Sequence, residues 1–246
     1  MFRSSSSEET RAFYGDLAEG KQRRGLWGME NRFDADAMAS KPSVLRHFVP
    51  VVQEHLEPTD RCLDLGCGPG GFLALMAPFC GHIVGADIVD QFVDGTNALI
   101  ERNGITNAEA VLVTERLPFD DASFDKVVLI DTIHHLEDVP GTIDEVVRVL
   151  KPGGSLLVFE PNKGNIPLAV MCVLDRNERG LLPLGTFGSY RRVLGPRFSI
   201  EYEAYNGVLI GPEGKLSRAV ADYVSTPGRP LVNWFSPKLF ISARRV

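Results

Sequence analysis

Apolar runs and segments of helical spacing alternate along the middle of the chain. Five apolar runs are short enough to be buried strands, and they lie at residues 61–65, 82–87, 109–113, 126–130 and 155–160. Segments that are long enough for helices separate most of them, at residues 72–79, 91–103 and 139–150. This alternation predicts an α/β fold with a doubly wound parallel sheet. In such a sheet, the ligand binds at the carboxyl ends of the strands.

Two later segments and one earlier segment add to this pattern. Residues 198–203 and 238–244 alternate like a sixth and a seventh strand. Residues 42–56 have apolar side chains at helical spacing. Pro50 lies inside that segment, which predicts a kink or a division into two helices.

The chain divides into a leader and a core. Residues 1–40 form a polar, charge-mixed leader in which residues 8–18 are suited to a short helix. We expect residues 41–246 to form the core. Its last third is less regular, with an insert at about residues 161–195 and a stretch rich in glycine and proline at about residues 205–234.

Composition and charge restrict the partners. The chain has 246 residues, 44% of them hydrophobic and 24% charged, which is enough for one α/β domain with an insert. The net charge of −6 without a basic patch argues against nucleic acid as a partner. The four cysteines lack zinc-site spacing, so no metal is expected. Since no signal peptide and no apolar run of about 20 residues is visible, we expect a soluble, cytoplasmic protein without a transmembrane segment.

The most informative stretch is the glycine cluster after the first strand. It leads from a buried strand to a helix N-terminus, where free backbone N–H groups can hold a ligand. Gly66, Gly68 and Gly71 fit the dinucleotide fingerprint G-x-G-x-x-G, so a nicotinamide cofactor is one alternative. Asp64, two residues before the first glycine, would repel a diphosphate. It would attract the ammonium and sulfonium of S-adenosylmethionine.

The stretch Leu63–Phe72, LDLGCGPGGF, resembles the first motif of the class I methyltransferases that use S-adenosylmethionine. The resemblance continues in Leu117-Pro118-Phe119, Ser123-Phe124-Asp125 and residues 150–154, LKPGG. It implies a Rossmann-like, seven-stranded, mostly parallel sheet with the last strand antiparallel. It also implies S-adenosyl-L-methionine as cofactor and S-adenosyl-L-homocysteine as product. In this family such a leader closes over the cofactor as a lid, for which Tyr14 and Trp27 are candidates.

Acidic side chains at successive strand ends define the expected cofactor site. Asp87 lies where a nucleotide-binding fold places the acid that binds ribose hydroxyls, although a helix N-cap is the alternative role. Ile88 would then lie against the adenine. Val113-Thr114 replaces the family's Asp-Ala pair, so backbone groups around Thr114-Glu115-Arg116, or the Glu115 side chain, are expected to take its place. The full set of expected cofactor-binding residues is Tyr14, Asp64, Gly66, Cys67, Gly68, Gly70, Asp87, Ile88, Thr114, Glu115, Arg116 and Asp131.

Two histidines are the candidate catalytic residues. His134 and His135 follow the fourth strand and therefore face the region in which the methyl group would point. If the acceptor is a hydroxyl or an acid, either histidine could remove its proton as a general base. The alternative is that a histidine only packs or forms hydrogen bonds within the loop. Asp131 is expected to border the cofactor.

The last third of the chain predicts the chemical class of the molecule that accepts the methyl group. Its apolar run at residues 166–174 and its aromatic side chains suggest a pocket for a small, lipophilic molecule. The same residues could instead form a second small core, a homodimer contact or a peripheral apolar surface. We therefore expect a methyltransferase that acts on a small molecule. The alternatives are a nicotinamide-dependent oxidoreductase and a catalytically inactive protein that binds S-adenosylmethionine.

Overall fold

The predicted strands pair into one seven-stranded sheet in a computed structural model of the chain. The structure describes residues 7–19, 34–114, 116–174, 176–209 and 213–246. The strands are β1 Arg61–Leu65, β2 His82–Asp87, β3 Ala108–Leu112, β4 Phe124–Ile130, β5 Leu150–Pro161, β6 Phe198–Asn206 and β7 Lys238–Arg245. Their order in the sheet is β3-β2-β1-β4-β5-β7-β6. The strands β1 to β5 pair in parallel, and β7 is antiparallel to both of its neighbours, which confirms the predicted fold class.

Helices connect the strands and flank them at the N-terminus and in the last third. The first four are α1 Ser7–Ala18, α2 Ala35–Ala39, α3 Pro42–His47 and α4 Val49–His55. The next three are α5 Gly71–Met76, α6 Asp90–Arg102 and α7 Val139–Val149. The last four are α8 Ile166–Leu174, α9 Phe187–Leu194, α10 Lys215–Val224 and α11 Val232–Phe235. None of the described helices is long and apolar enough to cross a membrane.

Two local predictions concern proline and glycine. The predicted division at Pro50 is confirmed, because α3 and α4 are separate helices joined at Phe48. The LKPGG turn before the fifth strand lies instead within β5. Gly153 there has a φ of +75°, and the pairing of β4 with β5 shifts register between Phe124 and Lys126. The turn is therefore a bulge within a longer strand.

The apolar strands are buried on both faces, since successive side chains point to opposite sides of the sheet. In β4, Val127 and Leu129 belong to one buried cluster, whereas Val128 and Ile130 belong to the other. The first cluster includes the inner face of α7, and the second includes that of α3 and α4. Helices on both faces leave the carboxyl ends of the strands as the open edge where a site can form.

Candidate functional site

A pocket opens at the carboxyl ends of β1, β2 and β4, beside α1. Nine of the residues expected to bind the cofactor or to act in catalysis line it. They are Tyr14, Asp64, Gly66, Cys67, Gly68, Asp87, Ile88, Asp131 and His135. Residues that are distant in sequence therefore meet at one sheet edge, as the parallel topology requires.

The glycine loop holds its shape through backbone conformations that favour glycine. Gly66 has a φ of +78°, and a Cβ there would lie 2.5 Å from Thr132 Oγ1 in the loop after β4. Gly68 has a φ of +53° with open space where its Cβ would be. Gly70 does not line the pocket; it is the N-cap of α5 at a φ of +84° and packs against Thr96. The loop is therefore both close to the β4 loop and open toward the pocket.

Asp64 is the most unusual polar group in the pocket. Its residue is 1% exposed, and its Oδ2 atom has no hydrogen-bond partner among the described residues. Burial, together with the nearby charge of Asp87, raises the pKa of Asp64 to about 7. An unpartnered buried carboxylate is costly, so a cationic ligand that forms a hydrogen bond with it would be favoured here.

Asp87 shapes the loop and remains available to a ligand. Its Oδ2 accepts a hydrogen bond from the Gly68 N–H at 2.9 Å, and its Oδ1 accepts one from the Val89 N–H at 2.9 Å. Burial raises its pKa, and these hydrogen bonds partly offset that effect. A carboxylate has about four lone-pair positions, so both oxygens can still accept hydroxyl protons. The helix N-cap role does not apply, because Val89 occupies the N-cap of α6.

The wall near Val113 differs from the expected set. Val113 lines the pocket, whereas Thr114 is exposed and does not. The Arg116 guanidinium binds the Glu145 carboxylate at 3.0 Å, away from the pocket lining. The structure therefore does not bring Thr114 and Arg116 to the pocket. Glu115, like Trp27, lies outside the described residues.

Asp131 borders the pocket with its charge already compensated. It has a φ of +53° at the end of β4, and its carboxylate forms a buried ion pair with Lys238, the first residue of β7. Sequence reasoning missed Lys238, since no local motif indicates that β7 inserts beside β5. Lys238 therefore offsets the negative charge of Asp131 at the pocket.

His134 is buried beneath the loop and does not line the pocket. Its Nδ1 lies 2.6 Å from Glu160 Oε2, and its Nε2 lies 3.3 Å from Glu178 Oε2. Burial by itself lowers the pKa of His134, but the two carboxylates outweigh burial and raise it to about 10. A charged imidazolium donates both N–H groups, so His134 is in no position to remove a proton from an acceptor. His135 is therefore the remaining candidate for the general base.

Glu160 organises the loop that carries both histidines. Its Oε1 accepts the Thr132 and Ile133 N–H groups, each at 2.7 Å. Its Oε2 binds His134 and accepts the Tyr190 hydroxyl at 3.2 Å. Neither Glu160 nor Glu178 was singled out from the sequence, because their partners are 26 to 44 residues away. Only the tertiary structure shows that this buried carboxylate fixes the loop after β4.

His135 faces the pocket and meets the N-terminal helix. Its Nε2 lies 3.1 Å from the Tyr14 hydroxyl, and the two rings meet edge to face. The helix α1 is also attached on both sides of the pocket: the Ser7 N–H donates to Glu137 at 2.8 Å, and Arg11 Nε donates to the Ile88 carbonyl at 2.9 Å. α1 therefore bridges the loops after β2 and β4. Its role as a cofactor lid stays a prediction.

Three side chains beside the pocket lie close enough together to bind a metal ion. His134, His135 and Glu178 each offer one ligand atom, and these atoms lie within 4.8 Å of one another. Two histidines and a carboxylate are a donor set that zinc accepts. His134 already forms ion pairs with Glu160 and Glu178, so the proximity of these side chains is explained without a metal ion. The expectation of no metal stays a prediction.

The Glu178–His134 contact should make a measurable contribution to stability. We expect Glu178→Ala to lower the free energy of unfolding by about 3 kcal/mol near pH 6.5, because it removes one partner of a buried charge. The raised pKa of His134 gives the sign of the pH dependence. The contribution is complete below pH 6.5 and is lost as the pH rises toward 10. Urea unfolding at several pH values measures both effects.

Glu201→Ala is the matched control, because it removes a carboxylate from an ion pair with Arg244 in which both side chains are more than a third exposed. A loss of at most about 1 kcal/mol is expected there. Equal losses in the two variants, or a Glu178→Ala effect that grows above pH 8, would contradict the assignment.

Comparisons with known proteins match the region that supplies most of the pocket lining. Residues 63–158, less than half of the chain, match the family model described as "Methyltransferase domain". A sterol 4-C-methyltransferase of Caenorhabditis elegans is 30% identical over 118 residues, covering 46% of this chain and 35% of that protein. A ubiquinone/menaquinone biosynthesis C-methyltransferase of Ectopseudomonas mendocina is 33% identical over 135 residues, covering 52% of each. The chain thus spans about a third to a half of the length of these relatives.

A solved structure extends the comparison to most of the chain. The crystal structure of a SAM-dependent methyltransferase from Aquifex aeolicus superposes with a TM-score of 0.63. The match covers 87% of this chain and 98% of that one, at 16% sequence identity. At this identity, the match shows a shared fold.

Proposed function

We propose that the chain is a class I S-adenosylmethionine-dependent methyltransferase that transfers a methyl group to a small, lipophilic acceptor, since residues 63–158 match the model of a methyltransferase domain and the fold matches that of a SAM-dependent methyltransferase. The observation that carries the proposal is the unpartnered Oδ2 of Asp64 in a pocket beside the glycine loop. S-adenosylmethionine brings an ammonium for this carboxylate and ribose hydroxyls for Asp87. A diphosphate would instead meet two buried carboxylates, which disfavours a nicotinamide cofactor.

The chain's own residues have separate tasks in this proposal. Asp64 holds the ammonium, Asp87 the ribose, and the open side of Gly68 admits the ligand. When bound, S-adenosylmethionine supplies an electrophilic methyl group on its sulfonium. The acceptor's lone pair forms the new bond to that methyl group while the sulfur keeps the electron pair. His135 takes the proton that a hydroxyl or acid acceptor loses, and the Tyr14 hydroxyl orients its ring.

Two observations support a lipophilic acceptor. The pocket lining outside the loop is largely apolar, including Met38, Phe72, Phe92 and Leu136. The matched relatives are named as methyltransferases of sterols and of quinone biosynthesis. We propose a cytoplasmic location for the chain on its sequence features, with cell fractionation as the test.

Calorimetry and a transfer assay test the function. We expect S-adenosylmethionine and S-adenosylhomocysteine to bind, whereas NAD should not. Transfer of a radiolabelled methyl group to a panel of sterols, quinones and aromatic metabolites then separates an enzyme from an inactive binding protein. Binding of NAD alone would refute the proposal. Cofactor binding without transfer to any acceptor would favour the inactive protein.

Cofactor affinity should depend on pH through Asp64. Because the pKa of Asp64 is raised to about 7, the carboxylate that binds the ammonium becomes populated only as the pH rises through 7. We expect the affinity for S-adenosylhomocysteine to increase about eightfold from pH 6 to pH 7.5. Binding below pH 7 should also release a proton, which calorimetry in buffers of different ionisation enthalpy detects. In Asp64→Asn the affinity should be weaker and flat over this range; an unchanged pH profile would exclude Asp64 as the titrating group.

A further inference from the structure

The exposed apolar side chains are concentrated on one part of the surface. Nine of the thirteen large hydrophobic side chains that are exposed in the described structure lie on α8, α10 and α11 or in the turn before α11. On α8 they follow one helical stripe. Its members are Ile166, Val170, Val173 and Leu174, each 48–57% exposed. Such concentration marks an interaction surface, whereas scattered single residues would need no explanation.

The other five side chains of this group lie on α10 and α11 or directly before α11. Leu216 and Tyr223 lie on one face of α10, and Leu231, Trp234 and Phe235 lie in and before α11. A shallow groove joins the two helices, with Tyr223, Leu231 and Phe235 among its lining. Asn165 Nδ2, directly before α8, donates to the Phe235 carbonyl at 3.0 Å. The three helices are therefore neighbours, and we call the nine side chains on them the apolar patch.

Three basic side chains border the apolar patch in a chain whose net charge is −6. The Arg229 guanidinium lies 5.6 Å above the Tyr223 ring, Arg179 donates to the Val173 carbonyl at the end of α8, and Lys215 is exposed at the start of α10. The described acids of these segments bind elsewhere. Glu178 contacts His134, Glu213 accepts from Ser43, and Asp222 pairs with Arg46 and His47.

The basic side chains around the apolar patch decide between two partners, a second copy of the chain and a lipid surface. A second copy of the chain would place the same basic residues against each other in a symmetric dimer, which is unfavourable. An anionic lipid surface complements them, and it also accepts exposed aliphatic side chains and a tryptophan at its interface. We propose that the apolar patch docks the protein on the surface of anionic lipid membranes.

The fold links the apolar patch to the loop beside the pocket. The segment after α8 reaches the loop of His135 through Glu178, and a Cβ on Gly180 would overlap the His134 carbonyl oxygen. A protein docked through α8 therefore holds its pocket close to the lipid. The inference does not depend on the reaction, because lipid binding is measured without it.

Sedimentation with sucrose-loaded vesicles tests the proposal. The full chain should bind vesicles of phosphatidylcholine mixed with phosphatidylglycerol, more weakly at high salt, and bind pure phosphatidylcholine least. We expect Ile166→Ser combined with Trp234→Ser to lower binding about tenfold or more, because two exposed apolar side chains are lost. Arg229→Glu should lower binding to the anionic vesicles about fivefold or more. Tyr202→Ser is the matched control, since Tyr202 is 51% exposed on β6 outside the patch, and it should bind as the wild type does.

Two further measurements make the outcome decisive. The chain has two tryptophans, so in Trp27→Phe the fluorescence reports Trp234, and brominated lipids should quench it. Absence of vesicle binding, or equal binding by all variants, would overturn the proposal. A dimer in light scattering that the Ile166→Ser and Trp234→Ser pair dissociates would also overturn it, in favour of self-association. Calorimetry with S-adenosylhomocysteine on the Ile166→Ser and Trp234→Ser pair and on Arg229→Glu should show unchanged affinity, which separates failure of docking from failure of the proposed function.

Discussion

Gly66→Val is expected to weaken the binding of S-adenosylhomocysteine by at least about 100-fold. At a φ of +78°, a β-branched residue carries a strain of about 1–2 kcal/mol. Its Cβ would also lie 2.5 Å from Oγ1 and 2.6 Å from Cγ2 of Thr132, so the loop and the β4 end must separate. The part of the pocket wall that this loop forms moves with it. Titration calorimetry measures the loss, and circular dichroism checks that the variant is folded.

A second variant separates loss of the ligand site from loss of the fold. Gly68 lines the pocket, has a φ of +53° and has nothing within 4 Å of its Cβ position, so the Cβ of Gly68→Val meets no described atom of the protein. Gly104→Val is the matched control, with a φ of +62° and equally open surroundings outside the pocket lining. We expect both to lose similar stability through the same strain, and only Gly68→Val to lose affinity. Retained affinity in Gly66→Val and Gly68→Val would mean that the cofactor does not lie along this loop.

His135→Asn is expected to lower kcat about 10²–10⁴-fold on a hydroxyl or acid acceptor, because the proton acceptor is removed. The affinity for S-adenosylhomocysteine should change little, since the histidine acts on the acceptor. Tyr14→Phe should produce a smaller loss, because it removes only the hydroxyl 3.1 Å from His135 Nε2. Steady-state kinetics with the acceptor that the transfer assay identifies gives kcat and KM separately.

His82→Asn provides the control for this substitution. His82 begins β2 at the opposite edge of the sheet and lies 3.2 Å from the Glu109 carboxylate. Its replacement should leave kcat unchanged. If His135→Asn retains the full rate while the protein is folded, transfer needs no general base at this position, and His135 has only a packing role.

Most of the fold was predictable because it depends on local patterns. The strands β1 and β2 have the predicted bounds. The helical segment divides near Pro50, because proline has no N–H donor and its φ is fixed. The bound of β5 was wrong, because the bulge at Gly153 is fixed by pairing with β4 and not by its own residues. Pairing between strands is a tertiary property, so the sequence around one strand does not determine it.

The candidate site was predictable where strand ends supply it. Asp64 and Asp87 end or nearly end apolar strands, and parallel topology then brings them together. The expectation for Thr114 and Arg116 rested on the place of the family's Asp-Ala pair in the sequence. Those side chains point toward solvent and Glu145, and Val113 lines the pocket there instead. The roles of His134 and His135 could not be separated from sequence, because adjacent residues in a loop point in different directions.

The sequence by itself determined the α/β class, the mostly parallel sheet with an antiparallel last strand that the family resemblance implies, and the glycine loop with its neighbouring carboxylate. These follow from side-chain period, backbone freedom and charge, which are properties of nearby residues. The tertiary structure alone decided which groups are buried and with what partners. It paired Lys238 with Asp131, enclosed His134 between Glu160 and Glu178, and left Asp64 Oδ2 without a hydrogen-bond partner among the described residues. Burial and long-range contact set the protonation of these groups, and therefore which of them can act on a ligand.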